Sequence, residues 1–148
     1  MSQIEASIVI QRTAEEIFTF FSCAENHARF IPGMIEVKQT SSGSFAQPGA
    51  TARGVRRDVV LNTEVQYKIT QAEPNKAFGM KGAMGPLHFE DGYVLEAMGD
   101  TTRVHFWLEF KLNGLMQLAG PFVQFLGKTH AGETLDNLKK VLEQTVES

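Results

Sequence analysis

The chain has 148 residues, of which 43% are hydrophobic and 21% charged, and this composition predicts one globular domain with its own core. A net charge of −3 with a pI near 5.8 leaves no excess of basic residues for binding nucleic acid or an anionic membrane. No signal peptide is visible and no run approaches the ~20 apolar residues that span a bilayer, so we expect a cytoplasmic protein without an integral membrane segment.

The first forty residues predict a strand, two short helices and a second strand. Thr13 and Glu16 form a capping-box motif, in which each side chain satisfies a backbone N–H of the other residue at the start of a helix. This helix breaks near Ser22-Cys23, and Pro32-Gly33 stops the helix that follows. In chain order the elements are predicted at Ile4 to Ile10, Thr13 to Phe21, Ala24 to Phe30 and Met34 to Thr40.

Five more strands follow a loop at 41–49 that is rich in Ser, Gly and Pro. Short turns separate them, including Pro74-Asn75 and Gly99-Asp100. Because consecutive strands joined by short turns form hairpins, the sheet is predicted to be antiparallel. The predicted strands are Thr51 to Leu61, Thr63 to Ala72, Ala77 to Lys81, Leu87 to Ala97 and Thr102 to Leu112.

One long amphipathic helix closes the sequence, predicted from Gly120-Pro121 to about Val146 with apolar or small residues at three-and-four spacing. From Leu135 onward this face is aliphatic and predicts packing against the sheet. Between Phe122 and Thr134 it contains small and polar residues, including His130. We therefore expect the first half of the helix to border a space that it does not fill.

The order of elements predicts an α+β fold in a single domain that spans residues 1–148. A strongly twisted sheet of seven antiparallel strands curves around a single long helix, with two short helices between the first two strands. This arrangement leaves a cleft between the sheet and the helix.

Six short motifs mark the junctions between these elements. They are Thr13 to Phe18, Phe30 to Gly33, Pro48-Gly49, Glu73-Pro74, Gly99 to Val104 and Leu135 to Glu143. In this order and spacing they resemble the START/Bet v1-like (SRPBCC) superfamily, and in particular its bacterial polyketide cyclase/dehydrase and lipid transport family. The resemblance covers nearly the whole chain, and Gly85-Pro86 also looks like the ubiquinone-binding branch.

The resemblance implies a helix-grip fold with a deep apolar cavity for a lipid, polyketide, isoprenoid or similar molecule. It implies no particular chemistry, since one fold hosts carriers, cyclases and regulators. The leading hypothesis is therefore carriage or sensing of a hydrophobic small molecule. The alternative is a cyclase- or dehydratase-type enzyme acting on a polyketide-like substrate, and neither function is predicted to need a cofactor.

Asp91 lies in the middle of an apolar strand face, in phase with Phe89 and Tyr93. A carboxylate that faces an apolar interior is costly unless it is paired or protonated. One interpretation makes it an anchor or proton acceptor for a polar group of the ligand. The structural alternatives are a bulge at Gly92 that turns Asp91 to solvent, or an ion pair with an arginine that holds the sheet together.

Three arginines in the third strand are candidate partners for this carboxylate. Arg53 and Arg57 share the alternation phase of Val55 and Val59, which favours these two arginines over Arg56 as the inward pair. A solvated arginine cluster is the alternative.

The cavity is predicted to be lined by aromatic and aliphatic side chains, with two polar contacts. His130 is the only histidine of the long helix, and its small neighbours favour a ring at the cavity border over a core histidine. The proposed lining is Tyr67, Phe78, Met80, Phe89, Phe106, Phe122 and Leu126, with Asp91 and His130 as the polar contacts. Two segments are candidate gates over this cavity, Gly82 to Pro86 and the loop residue Phe45, and the alternative for each is a plain surface turn.

The catalytic roles of an enzyme would fall on the same two polar residues. A protonated His130 would polarise a carbonyl while an ionised Asp91 takes a proton. The four histidines lie on four different elements and there is one cysteine, Cys23, so no metal site is predicted.

Trp107 is predicted on the outer face, either paired across strands with Val94 or a neighbour, or as the contact of a homodimer.

Overall fold

The computed structural model of the chain describes residues 3–57, 61–112 and 114–144. Within these residues, seven strands, two α-helices and a first 3₁₀ helix follow one another in the predicted order, and a second 3₁₀ helix precedes the long helix. The strands are β1 Ile4–Ile10, β2 Met34–Gln39, β3 Thr51–Arg57, β4 Asn62–Glu73, β5 Ala77–Met84, β6 Leu87–Met98 and β7 Thr101–Lys111. The helices are α1 Ala14–Phe21, a 3₁₀ helix Ala24–Arg29, a second 3₁₀ helix Gly114–Ala119 and α2 Gly120–Gln144.

All seven strands form one antiparallel sheet in the order β1-β7-β6-β5-β4-β3-β2. The predicted hairpins are therefore confirmed, but β5 runs further than expected, to Met84. Gly82 to Met84 pair with β6, and only Gly85 and Pro86 are left for the turn. The predicted end of the third strand at 58–60 and the predicted end of the last helix at 145–146 lie outside the described residues.

The start of α1 follows from its capping box. Glu16 N donates to Thr13 Oγ1 at 3.2 Å, and Thr13 N donates to a Glu16 carboxylate oxygen at 3.1 Å. Two N–H groups that the helix leaves unpaired are thereby satisfied, which stabilises such a terminus by about 1 kcal/mol. The helix then buries Ile17 and Phe21 against the sheet.

An aromatic cluster fills one half of the space between the sheet and α2. Phe78 is fully buried at its centre, with ring centroids 5.7 Å from Phe21, 5.5 Å from His27 and 5.9 Å from Phe45. Tyr93 stacks on Phe21 at 4.6 Å. These side chains come from α1, the first 3₁₀ helix, the loop at 41–49, β5 and β6, so that chain segments far apart in sequence close this half of the interior.

The long helix α2 uses its two halves differently, as its composition predicts. Leu135, Leu138 and Leu142 are buried in the core. In the first half, Gly127 is the close-contact point, because a Cβ at this position would overlap the side chains of Ile4 and Phe110. The helix is thus pinned to β1 and β7, while the side chains beside Gly127 border a cavity.

Candidate functional site

The cavity between the sheet and α2 consists of two adjoining compartments. The inner compartment is about 40 Å³ and the outer one about 210 Å³. Five residues line both of them and so form the passage between them: Arg56, Met84, Phe89, Asp91 and His130. The outer compartment is otherwise walled by apolar side chains, among them Leu87, Leu108, Phe110, Val123 and Leu126.

The strand register explains why the interior is filled at one end and hollow at the other. Phe78, Tyr93 and Phe106 lie side by side on the inner faces of β5, β6 and β7, and this row packs against the aromatic cluster. The next row is Met80, Asp91 and Leu108, which are smaller side chains. The third row is Gly82, Phe89 and Phe110, where the missing side chain of Gly82 lets the Phe89 ring lie across β5.

Asp91 faces the interior, and its carboxyl group is neutral at neutral pH. The residue is 9% exposed, and among the described residues no hydrogen-bond partner reaches its Oδ1 atom. Burial, with a smaller contribution from the charge of Glu90, raises the pKa of Asp91 to about 8. A neutral carboxyl group with an unused oxygen at the junction of two compartments is a ready hydrogen-bonding group for a ligand.

Both structural alternatives for Asp91 are wrong. The pairing of β6 with β5 and with β7 continues without a shift through Gly92, so no bulge turns Asp91 to solvent. Gly92 instead makes room for Trp107, its direct cross-strand partner, because a Cβ there would lie 2.8 Å from the indole ring. The second alternative fails because none of the ion pairs among the described residues joins Asp91 to an arginine, and the pKa of Asp91 is raised where an arginine pair would lower it.

His130 borders both compartments, as its position on α2 predicts. Burial, together with the positive charge of Arg56, lowers its pKa to about 4, so the imidazole is neutral at neutral pH. The expected roles of a protonated His130 and an ionised Asp91 are therefore reversed. At neutral pH Asp91 can donate a proton and His130 can accept one.

The inward arginine is Arg56, and the expectation that Arg53 and Arg57 face inward is wrong. Arg53 is exposed and forms an ion pair with Glu64 on the neighbouring strand, at 2.7 Å. The inward phase of β3 is occupied by Ala52 and Gly54, which are buried despite their small size.

Tertiary packing sets this phase of β3. A Cβ at Gly54 would lie 3.0 Å from Met34 Sδ and 3.1 Å from Tyr67 Cε2, so a larger residue would require these two side chains to move apart. Val55 is half-buried on the other face, and Val59, the second valine used for the phase, lies outside the described residues.

Most of the predicted lining is found around the cavity, and two residues are not. Tyr67, Met80, Phe89 and Phe106 line the inner compartment, and Leu126 lines the outer one. Phe78 does not reach either compartment, because the aromatic cluster encloses it. Phe122 points away from the cavity and is 64% exposed, because Val123 takes the inward position on that turn of α2.

Several lining residues were missed by sequence reasoning. Ile31, Met34, Val65, Met84, Tyr93 and Thr134 complete the inner compartment with Arg56. The alternation phase of Val65 and Tyr93 with Tyr67 and Asp91 was the signal that could have identified those two.

Of the two expected gates, Phe45 does not line either compartment, whereas Met84 of the Gly82 to Pro86 segment lines both. Phe45 is buried in the aromatic cluster, where it contacts His27 and Phe78. The segment from Gly82 to Met84 is held in β5 by its pairing with β6.

Tyr67 contributes its ring to the inner compartment and packs edge-on against Phe89, with centroids 6.1 Å apart. Burial raises the pKa of its hydroxyl above the usual range, so the group remains protonated.

Within the described ranges, no three His, Cys, Asp or Glu side chains gather in a way that would hold a metal ion. None of the helices in the described parts of the chain is long and apolar enough to cross a bilayer.

The fold is shared with many solved structures. A START superfamily protein from Mycobacterium smegmatis is 21% identical, with a TM-score of 0.71 over 98% of this chain and 97% of that one. The Zhui aromatase/cyclase from Streptomyces sp. R1128 is 9% identical, with a TM-score of 0.77 over 98% of this chain and 95% of that one. Ara h 8.0201 is 13% identical, with a TM-score of 0.75 over 97% of this chain and 99% of that one. These identities are low, so the likeness shows the helix-grip fold alone.

No curated protein matches the sequence. The family described as "Polyketide cyclase / dehydrase and lipid transport" matches residues 1–143, which is nearly the whole chain. The protein therefore belongs to the polyketide cyclase/dehydrase and lipid transport family.

Proposed function

We propose that the protein binds an apolar small molecule that carries an oxygen-containing polar group, in the cavity between the sheet and α2. The observation that carries this proposal is the Asp91 carboxyl group, which is buried, neutral and without a partner for Oδ1 where the two compartments meet. A buried polar atom without a partner destabilises the fold, and a ligand that completes its hydrogen bonds removes that cost.

The sizes of the compartments favour one orientation of the ligand. The inner compartment, at about 40 Å³, accommodates a hydroxyl or carbonyl group but no ring. The outer compartment, at about 210 Å³ with mostly apolar walls, accommodates the hydrocarbon body. Burial of about 200 Å² of apolar ligand surface would contribute about 5 kcal/mol before the cost of association. The polar contacts would then orient the ligand rather than provide most of its affinity.

A matched pair of probes tests this proposal. Fluorescence titration with 2-naphthol and with naphthalene compares the same ring system with and without a hydroxyl group. We expect 2-naphthol to bind more tightly, because its hydroxyl can pair with Asp91. Leu126→Glu places a charge in the outer compartment and should weaken binding at least tenfold. Phe122→Glu, on the same part of α2 but pointing outward, is the control and should leave the affinity unchanged.

Two results would refute the proposal. One is the absence of detectable binding of either probe to the wild-type protein. The other is equal affinity of the Leu126→Glu and Phe122→Glu variants, which would locate the bound probe outside the cavity.

A second candidate function, a dehydratase or cyclase, is favoured by the opposite pKa shifts of two groups in one cavity. The Asp91 carboxyl group, with its pKa near 8, would donate a proton to a leaving hydroxyl group. The neutral imidazole of His130, with its pKa near 4, would take a proton from the adjacent carbon, and loss of water would leave a carbon–carbon double bond. A base with so low a pKa is weak, which places this function second.

The assay for this activity uses a β-hydroxy ketone, such as 4-hydroxy-4-phenylbutan-2-one, whose dehydration gives a strongly absorbing enone. We expect Asp91→Asn to abolish the reaction while 2-naphthol still binds, because the amide keeps the shape but supplies no acidic proton. A wild-type rate equal to that of the buffer would exclude this activity for this substrate class, whereas an unchanged rate in the variant would exclude the role of Asp91.

A further inference from the structure

The first turns of α2 and the 3₁₀ helix before it expose an unusual amount of apolar surface. Leu118 is 82% exposed, Phe122 64%, Phe125 66% and Leu126 50%. We call these four residues the apolar rim. Two phenylalanines on one exposed helical surface are costly in water, and such a patch marks an interaction site more often than a lone apolar residue does.

The apolar rim adjoins the opening of the outer compartment. Leu126 belongs to the rim and also lines this compartment, and its neighbour Val123 faces the interior. The apolar surface is therefore continuous from the exposed rings of Phe122 and Phe125 to the cavity wall. A surface bound to the rim would lie directly at the entrance of the cavity.

The segment that carries the rim holds no acidic residue, although the whole chain has a net charge of −3. No Asp or Glu occurs between residues 110 and 132, or between residues 81 and 89 in the turn region from β5 to β6. Lys111 and Lys128 are exposed on the first of these segments, and Lys111 lies opposite His88 in the sheet. The nearest acidic pair on these strands, Glu90 and Glu109, lies further along the outer face.

We propose that the apolar rim docks the protein on a bilayer that contains anionic phospholipids. Phe122 and Phe125 would enter the boundary between head groups and acyl chains, and Lys111 and Lys128 would meet the lipid phosphates. Net charge alone predicts no affinity for such a membrane. The fold changes this expectation because it exposes Phe122 and Phe125 on α2 together with Lys128, one turn after Phe125.

A second copy of the chain is a poorer occupant of the rim than a lipid surface. In a two-fold dimer the same patch faces itself, so Lys128 and Lys111 would approach charges of their own sign. Docking on a bilayer would let the ligand pass between the membrane and the cavity, and this role rests on the proposed function. Membrane binding itself does not depend on the proposed function, because it is measured without ligand.

Co-sedimentation with vesicles tests the inference on the full chain. Vesicles of phosphatidylcholine mixed with phosphatidylglycerol should bind the wild-type protein, and vesicles of phosphatidylcholine alone should bind it less. The double variant Phe122→Ser, Phe125→Ser should reduce the partition coefficient about tenfold or more. Each reversal, Lys111→Glu or Lys128→Glu, should reduce it at least about fivefold on the anionic vesicles.

Matched controls come from the opposite end of the sheet. Met98→Ser removes another exposed apolar side chain, and Lys76→Glu reverses another exposed lysine, and both variants should bind vesicles like the wild type. An unchanged circular dichroism spectrum and unchanged 2-naphthol binding confirm that the rim variant is folded.

Three results would overturn the docking proposal. They are a wild-type protein that does not bind anionic vesicles, a rim variant that binds them as well as Met98→Ser, and a dimer in light scattering that only the rim variant abolishes. If 2-naphthol binding persists in any of these cases, the proposed function stands while the docking does not.

Discussion

Replacement of Asp91 by asparagine isolates the energetic consequence of a buried carboxyl group. Burial raises the pKa of Asp91 from 3.8 to about 8 in the folded protein. Between these two values the folded state holds one proton more than the unfolded state. The free energy of unfolding therefore falls as the pH rises from about 4 to about 8. Asparagine has nearly the same shape and does not titrate.

The magnitude follows from the same linkage. One extra bound proton lowers the free energy of unfolding by about 1.4 kcal/mol per pH unit, so the change from pH 5 to pH 7 is about 3 kcal/mol. His27 and His130 act in the opposite direction, since burial lowers both pKa values to about 4. Their contribution to stability is complete above the unfolded pKa of 6.5 and is lost as the pH falls toward 4.

The assay is urea unfolding of the wild type and of Asp91→Asn across this pH range. The histidine contributions are common to both proteins and cancel in the difference. We expect the free energy of unfolding of the variant, relative to that of the wild type, to rise by about 1.4 kcal/mol with each pH unit up to about pH 8. A difference that stays constant with pH would refute the reasoning, because it would mean that Asp91 is already ionised and well solvated in the folded protein.

Two further comparisons use matched pairs of substitutions. Gly127→Ala should lower the free energy of unfolding by about 1–3 kcal/mol because the new methyl group overlaps Ile4, whereas Gly132→Ala, with open space at its Cβ, should raise it by about 0.5–1 kcal/mol in the same urea assay. Equal effects of the two substitutions would contradict the close contact at Gly127. Phe78→Ala should cost about 3–5 kcal/mol of stability and leave 2-naphthol affinity unchanged, while Leu126→Ala should weaken 2-naphthol binding with little loss of stability. Weaker probe binding by a folded Phe78→Ala protein would place Phe78 in the cavity wall after all.

The elements that the sequence predicted best depend on interactions between residues close in the chain. The capping box of Thr13 and Glu16 needs only one helical turn, and the structure contains both of its hydrogen bonds. The inward direction of Asp91 follows from its phase with Phe89 and Tyr93, because strand alternation is a local property that no bulge interrupts here.

Predictions failed where the answer depends on a partner that is distant in sequence. The two valines of the third strand suggested the wrong inward face, because Gly54 is needed where Met34 and Tyr67 approach the strand. A glycine gives no hydrophobic signal, although its missing side chain decided the direction of Arg56. Burial, with a smaller contribution from the charge of Arg56, lowers the pKa of His130, and burial raises the pKa of Asp91. These two shifts reversed the expected acid and base.

The sequence by itself determined the order of the elements, the antiparallel sheet, the long helix and the inward carboxyl group of Asp91, since periods of two and of 3.6 residues are set within each element. Only the tertiary structure decided which half of the interior stays open. Phe78 and Phe122 have similar sequence signals, yet side chains from α1 and from the loop at 41–49 enclose Phe78, and Val123 occupies the inward position beside Phe122. A space inside a protein is the volume that its neighbours leave unfilled, so its position depends on how separate chain segments pack.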